Sequence, residues 1–238
     1  MTWSILARDE DGTFGVAIAS RFFAVGALCV HTCRAVGALS TQALMNPLYG
    51  PAGLAQLAAG RSAQQVVDAL IAADEGRDQR QLHVLAASGK PAVHTGAACV
   101  DWCGHLLFAD FSVAGNMLAG PQVIEATAQA FQQSTRRPLA ERLLAAMQAG
   151  EAAGGDKRGR QAAALRIHGD EDYLQLDIRV DDHEEPIAEL ARLYEKSLER
   201  YQPFMACLPG RRDATGLTDR AEIEERIDRF HAQRRDQR

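Results

Sequence analysis

No stretch of the sequence approaches the roughly 20 consecutive apolar residues that cross a bilayer, so no membrane-spanning helix is expected. Basic residues are the minority, 26 Lys and Arg against 31 Asp and Glu for a net charge of -5, which argues against a nucleic-acid surface. The N-terminus has neither a basic region ahead of its first apolar run, residues 2–7, nor a small-residue cleavage signal after it, so a cytoplasmic protein is expected. No Gly-x-Ser-x-Gly elbow is present to raise a serine nucleophile. Cysteines are few and odd in number: Cys29, Cys33, Cys99, Cys103 and Cys207. Free thiols are the expectation. The Cys99, Cys103, His105 spacing is not that of a zinc knuckle, and Cys29 and Cys33 lie along an extended segment where side chains splay apart. The reading is therefore buried small hydrophobes, with no metal and no cofactor.

What the chain does have is enough apolar residue, 47% of 238 positions, for one sizeable core. The first 20 residues read as two strands joined by the turn Asp9-Glu10-Asp11-Gly12. Strands are expected over 36–41, 81–86, 92–95, 105–108, 111–114, 162–168 and 174–180. Helices are expected over 51–59, 122–133, 139–149 and 187–201, and from a Ser62 to Gln65 capping box to about residue 73. Strand runs separated by helix pairs suit a layered α+β sandwich. After Pro209 the composition turns to arginine and glutamate, so the domain is drawn as 1–208 with a charged tail over 209–238, read as solvated and helical from Asp219 to Arg234.

Thr2 is the residue that carries chemistry. Removal of Met1 leaves Thr2 with a free α-amine beside its own hydroxyl, nucleophile and general base in one residue. Ser4, on the same strand face, supports it or stands in as nucleophile. Asn116 follows Gly115 at a strand end, where its amide can meet an oxyanion or simply make a turn. Thr41, Gln42 and Asn46 cluster at another strand end, facing a cleft or bracing a loop. The run Lys157-Arg158-Gly159-Arg160 can hold a substrate carboxylate or be a solvated basic loop.

The segments MTWSILARDEDGTFGVAIASRFFAVGA, RAVGALSTQALMNPLYGPAGLAQLAAG, AVHTGAACV, FSVAGNMLAGPQV, GEAAGGDKRGRQAAAL and RVDDH, in this order from Met1 to about Tyr201, resemble the DUF1028 family, assigned to the N-terminal nucleophile (Ntn) hydrolases. The resemblance implies a four-layer αββα sandwich. It offers Arg34 as the cation that lowers the amine pKa, with a surface ion-pairing arginine as the alternative, places Ser20-Arg21 on the proteasome-like Ser-Arg pair, and puts Ala19 where those peptidases carry aspartate. A different carboxylate, Asp181, could then take the orienting role. The function expected is hydrolysis of a small amide or peptide, by a chain that can form a homo-oligomer. The alternative, favoured by Ala19, is a fold member that binds a small ligand or assembles without catalysis.

Overall fold

The computed structural model describes residues 2–236, all in one α+β unit. Among the described residues, ten strands form two antiparallel sheets. Strands β1 (Thr2–Arg8), β2 (Phe14–Ser20), β7 (Trp102–Leu107), β8 (Phe111–Leu118), β9 (Ala162–His168) and β10 (Leu176–Val180) build the larger sheet, in the order β10-β9-β2-β1-β8-β7. Strands β3 (Val30–Cys33), β4 (Gly37–Ala43), β5 (Arg80–Ala86) and β6 (Ala92–Thr95) build the smaller, in sequence order. The hairpin from β1 to β2 closes because Gly12 takes the left-handed φ of 86° that its turn requires and Thr13 N donates to Asp11 Oδ1 at 2.9 Å.

Helices α2 (Tyr49–Ala58) and α3 (Ala63–Ala72) pack against the smaller sheet, whereas α4 (Gln122–Gln133), α5 (Leu139–Ala152) and α6 (Pro186–Ser197) pack against the larger. The inner faces of the two sheets meet through β1, β2 and β8 on one side and β4 and β5 on the other. Central β1 is buried on both faces, so alternation assigns its residues to two different layers. Trp3, Ile5 and Ala7 pack with Val123, Leu143 and Met147 of α4 and α5, and Leu6 joins Val16, Ile18, Ala38 and Leu85 between the sheets. Each large side chain buried this way contributes about 1.5–3 kcal/mol.

The short helix α1 (Val25–Leu28) and the strand pairing of β3 are not apparent from the sequence. The Ser62 capping box is present, with Gln65 N donating to Ser62 Oγ at 3.3 Å and Ser62 N donating to Gln65 Oε1 at 2.9 Å. The helix expected over 187–201 is broken: α6 ends at Ser197 and α7 (Tyr201–Met205) follows. Pro203 supplies the reason, since it has no N–H for the carbonyl of Glu199. That carbonyl instead lies 2.8 Å from His231 Nε2 of α8 (Arg220–Asp236).

This contact begins a correction, because the tail does not run free in solvent. Ile227 is buried, Phe230 packs against the helical core, and Arg200 and Arg234 pair with Glu224 and Glu195. Exposed ion pairs of this kind contribute little, so apolar burial holds the helix. We expect Ile227→Ala to cost about 2 kcal/mol and to speed amide exchange across α8 while leaving β1 and β2 protected. Exchange followed by mass spectrometry checks this; unchanged rates in α8 would mean that the helix is not anchored there.

Candidate functional site

Thr2 opens β1, opposite Asn116 of β8, and the next residue, Trp3, lies opposite Ala19 of β2. Strands on both sides therefore fix where the threonine points. Its side chain is buried, and Oγ1 donates to Ser20 Oγ at 3.1 Å. Asn116 Nδ2 donates to the Thr2 carbonyl at 3.3 Å and to Gln81 Oε1 at 3.1 Å, so its amide locks the strand end.

Beneath Thr2 the layer between the sheets is polar. Ser4 Oγ donates to Gln42 Oε1 at 2.7 Å, and Gln42 Nε2 to Gln81 Oε1 at 2.7 Å. Gln81 Nε2 donates to the Gly115 carbonyl at 2.9 Å. On the other side, His83 Nε2 lies 2.8 Å from Ser4 Oγ and His83 Nδ1 2.9 Å from Ser112 Oγ. Because the Ser4 hydroxyl proton goes to Gln42, Nε2 carries the imidazole hydrogen and Nδ1 accepts from Ser112. The donors then run in one direction, from Ser112 through His83, Ser4 and Gln42 to Gln81. A neutral imidazole is what this chain needs, and burial enforces it by pushing the His83 pKa down to about 3, with His105 adding to the shift.

Of the residues expected at the site, Thr2, Ser4, Gln42 and Asn116 are brought together. Thr41 points to the other face of β4, where Oγ1 accepts the Asn46 N–H at 3.1 Å. Asn46 accepts Leu48 N–H and donates to Asp74, whose carboxyl the Tyr49 hydroxyl and Arg80 hold well below the usual range. Both residues brace the loop after β4. Arg34 is corrected more sharply: it pairs with Asp172 at 3.1 Å and Asp170 at 3.5 Å, just past the His168 end of β9. His168 lies opposite Phe14, six residues along β2 from the Ser20 that touches Thr2, or about 20 Å at strand rise. Asp181 follows β10, which two strands separate from β1, and its carboxylate is occupied by Arg179 at 3.1 Å. Neither residue reaches Thr2.

Residues not expected at the site complete the surroundings. Cys29 is buried between the sheets, its thiol pushed up to about 12 by burial. Its carbonyl accepts Thr41 N–H at 3.0 Å. Asp156, with a side chain only 2% exposed, accepts the backbone N–H groups of Arg21 and Arg158, each at 2.8 Å, and fixes the chain beyond Ser20. Non-glycine residues with left-handed φ flank the site: Ala24 at 51°, Ala43 at 67° and Met117 at 54°. Ala43 and Met117 directly follow Gln42 and Asn116, so backbone strain gathers where the polar side chains end. Cys99 Sγ donates to the Arg80 carbonyl at 3.4 Å, Cys103 Sγ to the Cys99 carbonyl at 3.8 Å, and His105 Nδ1 lies 3.2 Å from Thr95 Oγ1. Among the described residues, no group of three or more His, Cys, Asp and Glu converges on a metal-binding position. No described helix is long and apolar enough to cross a membrane.

Fold and site together define an α+β protein of two antiparallel sheets with a buried threonine opening a central strand. The chain belongs to DUF1028, a family of unknown function whose model matches residues 2–190. A crystal structure of a DUF1028 protein from Silicibacter pomeroyi aligns with a TM-score of 0.84 at 30% identity, over 92% of this chain and 96% of that one. Anbu, described as an ancestral beta-subunit, from Yersinia bercovieri aligns at a TM-score of 0.40 and 12% identity, over 87% of this chain and 98% of that one. Anbu from Hyphomicrobium sp. strain MC1 gives 0.41 and 12%, over 82% and 94%. No curated protein matches the sequence.

The buried imidazole makes stability depend on pH. With the folded pKa near 3 and the unfolded one near 6.5, the unfolded chain binds the extra proton between those values. The His83 contribution is complete above pH 6.5 and is lost as pH falls toward 3. We expect it to add a slope of up to about 1.4 kcal/mol per pH unit between pH 6 and 4, absent in His83→Gln. Urea unfolding at several pH values measures this, and equal slopes in both proteins would contradict a neutral buried His83.

Proposed function

We propose that the protein is an Ntn-type hydrolase of a small amide, with Thr2 as nucleophile on a four-layer αββα sandwich. The observation that carries this reading is the setting of Thr2: first residue of a doubly paired central strand, hydroxyl turned into the inter-sheet layer and oriented by Ser20. Once Met1 is removed, the neutral α-amine takes the hydroxyl proton as Oγ1 attacks the carbonyl, and returns it to the leaving amine. Water then cleaves the acyl ester. Ser4, Gln42, Gln81 and Asn116 hold β1 against the smaller sheet and keep the nucleophile from drifting.

Arg34 and Asn116 are not free for the roles expected of them. Arg34 is engaged elsewhere and the Asn116 amide is taken by the Thr2 carbonyl and Gln81. Ala19, paired directly with Trp3, shares that residue's face of the sheet and turns away from the Thr2 hydroxyl. These displacements favour the second reading, a binding protein that has kept the scaffold without the chemistry.

Two measurements divide the readings. Intact mass of the protein from its native host is expected to lack one methionine; full retention closes the mechanism. With a substrate found by screening small amides and dipeptides, Thr2→Ala is expected to lower kcat/KM by on the order of 10³-fold or more, while losing about 1 kcal/mol of stability with the Ser20 hydrogen bond. Full activity in Thr2→Ala would move the nucleophile elsewhere.

A further inference from the structure

Among the described residues nine large apolar side chains stand exposed, and five of them fall in two short segments: Phe22, Phe23 and Leu28 after β2, and Leu44 and Leu48 after β4. Phe23 is 62% exposed and Leu48 74%. The segments touch, since Cys29 Sγ lies 3.4 Å from Met45 Sδ. Both leave the end of the sandwich that carries Thr2. Phe22 lies two residues past Ser20, which accepts the Thr2 hydroxyl, and Leu44 two past Gln42, which accepts that of Ser4.

This rim is also without charge. Residues 22–30 and 43–48 contain no Asp, Glu, Lys or Arg, in a chain that is 24% charged, so ion pairing cannot be what an occupant uses. The charges that border it are engaged: Arg80 with Asp74 at 3.1 Å, Arg179 with Asp181 at 3.1 Å, and Arg21 with the Arg158 carbonyl. The five side chains leave on the order of 500 Å² of apolar surface in water, at the upper end of what a monomer exposes. One face of a standard protein–protein interface buries about 800 Å², of which about 60% is apolar. The rim supplies that apolar share.

Charge and symmetry select the occupant. Two copies of a chain with a net charge of -5 repel one another through their acidic surfaces, and at this rim they meet without like charges opposed. A patch on a two-fold axis faces itself, so it has to be complementary to itself. An apolar patch is, and a patch of one charge is not.

We propose that Phe22, Phe23, Leu28, Leu44 and Leu48 form a dimer face, on which a second copy of this chain packs about a two-fold axis. The second copy covers the end of the sandwich that carries Thr2. The pairing does not depend on Thr2 being a nucleophile.

Sedimentation equilibrium of the full-length chain at about 10 μM is expected to give twice the 25.8 kDa of one copy. Phe23→Asp and Leu48→Asp each set two like charges across the axis and are expected to weaken association at least about a hundredfold. Both side chains are exposed, so the circular dichroism spectrum is expected to stay as it is. Leu107→Asp, an exposed position on β7 at the other end of the sheet, is expected to leave the dimer intact. A monomeric wild-type chain, a dimer that survives both substitutions at the rim, or one that Leu107→Asp disrupts equally would each overturn the proposal. A monomer that floats with phosphatidylcholine vesicles would overturn it too, by giving the rim to a lipid surface.

Discussion

The hydrogen-bond chain through Ser112, His83, Ser4, Gln42 and Gln81 is the constraint on which the rest of the molecule turns. Two sheets that met only through Leu6, Val16, Ile18, Ala38 and Leu85 could slide on one another, because apolar contact is not directional. Buried polar groups do not permit that. Each unmet donor or acceptor costs about 1–3 kcal/mol, so a shift of the sheets would break several bonds at once. Thr2 stands above this polar half and inherits its fixed position.

The same chain explains why the site depends on a neutral histidine. An imidazolium at position 83 would present a second donor to Ser112, reverse that bond, and leave a charge whose hydrogen-bond partners, Ser4 and Ser112, carry none to offset it. Burial therefore selects the protonation state, and the state selects the direction of every bond down to Gln81. The ion pairs of Arg160 with Glu151 and Glu185, on the opposite face of β1 and β2, have the contrary character, built from charges rather than neutral hydrogen bonds. Thr2 and Trp3, adjacent in sequence, thus face two different layers: the polar one between the sheets and the core beneath the helices.

Much of the fold was legible because alternation and capping are local. Helix α4 and strands β6 and β9 match the expected bounds, and the Ser62 box starts α3 where its residues say. The inter-sheet layer was legible in part. Polar side chains two apart on otherwise apolar strands, Thr2 and Ser4, Ser40 and Gln42, Gln81 and His83, mark one polar face, but which strands share that layer depends on packing between sheets. Arg34 failed for a related reason. Its place by overlay on the next strand ignored where the turn after β3 falls, at the end of the sheet far from Thr2, where Asp170 and Asp172 await it. Tail composition misled as well, since two apolar residues, Ile227 and Phe230, decide the docking of a helix that is otherwise mostly charged.

The nucleophile is most directly tested by trapping it. Protein shown to begin at Thr2 would be treated with a broad set of acylating β-lactones and epoxyketones, then digested and sequenced by mass spectrometry. A covalent adduct on the N-terminal threonine, absent when one extra residue precedes Thr2, is the result predicted, because the displaced amine can no longer take the hydroxyl proton. Labelling that falls elsewhere, or that persists with the amine displaced, would contradict an N-terminal nucleophile in this fold.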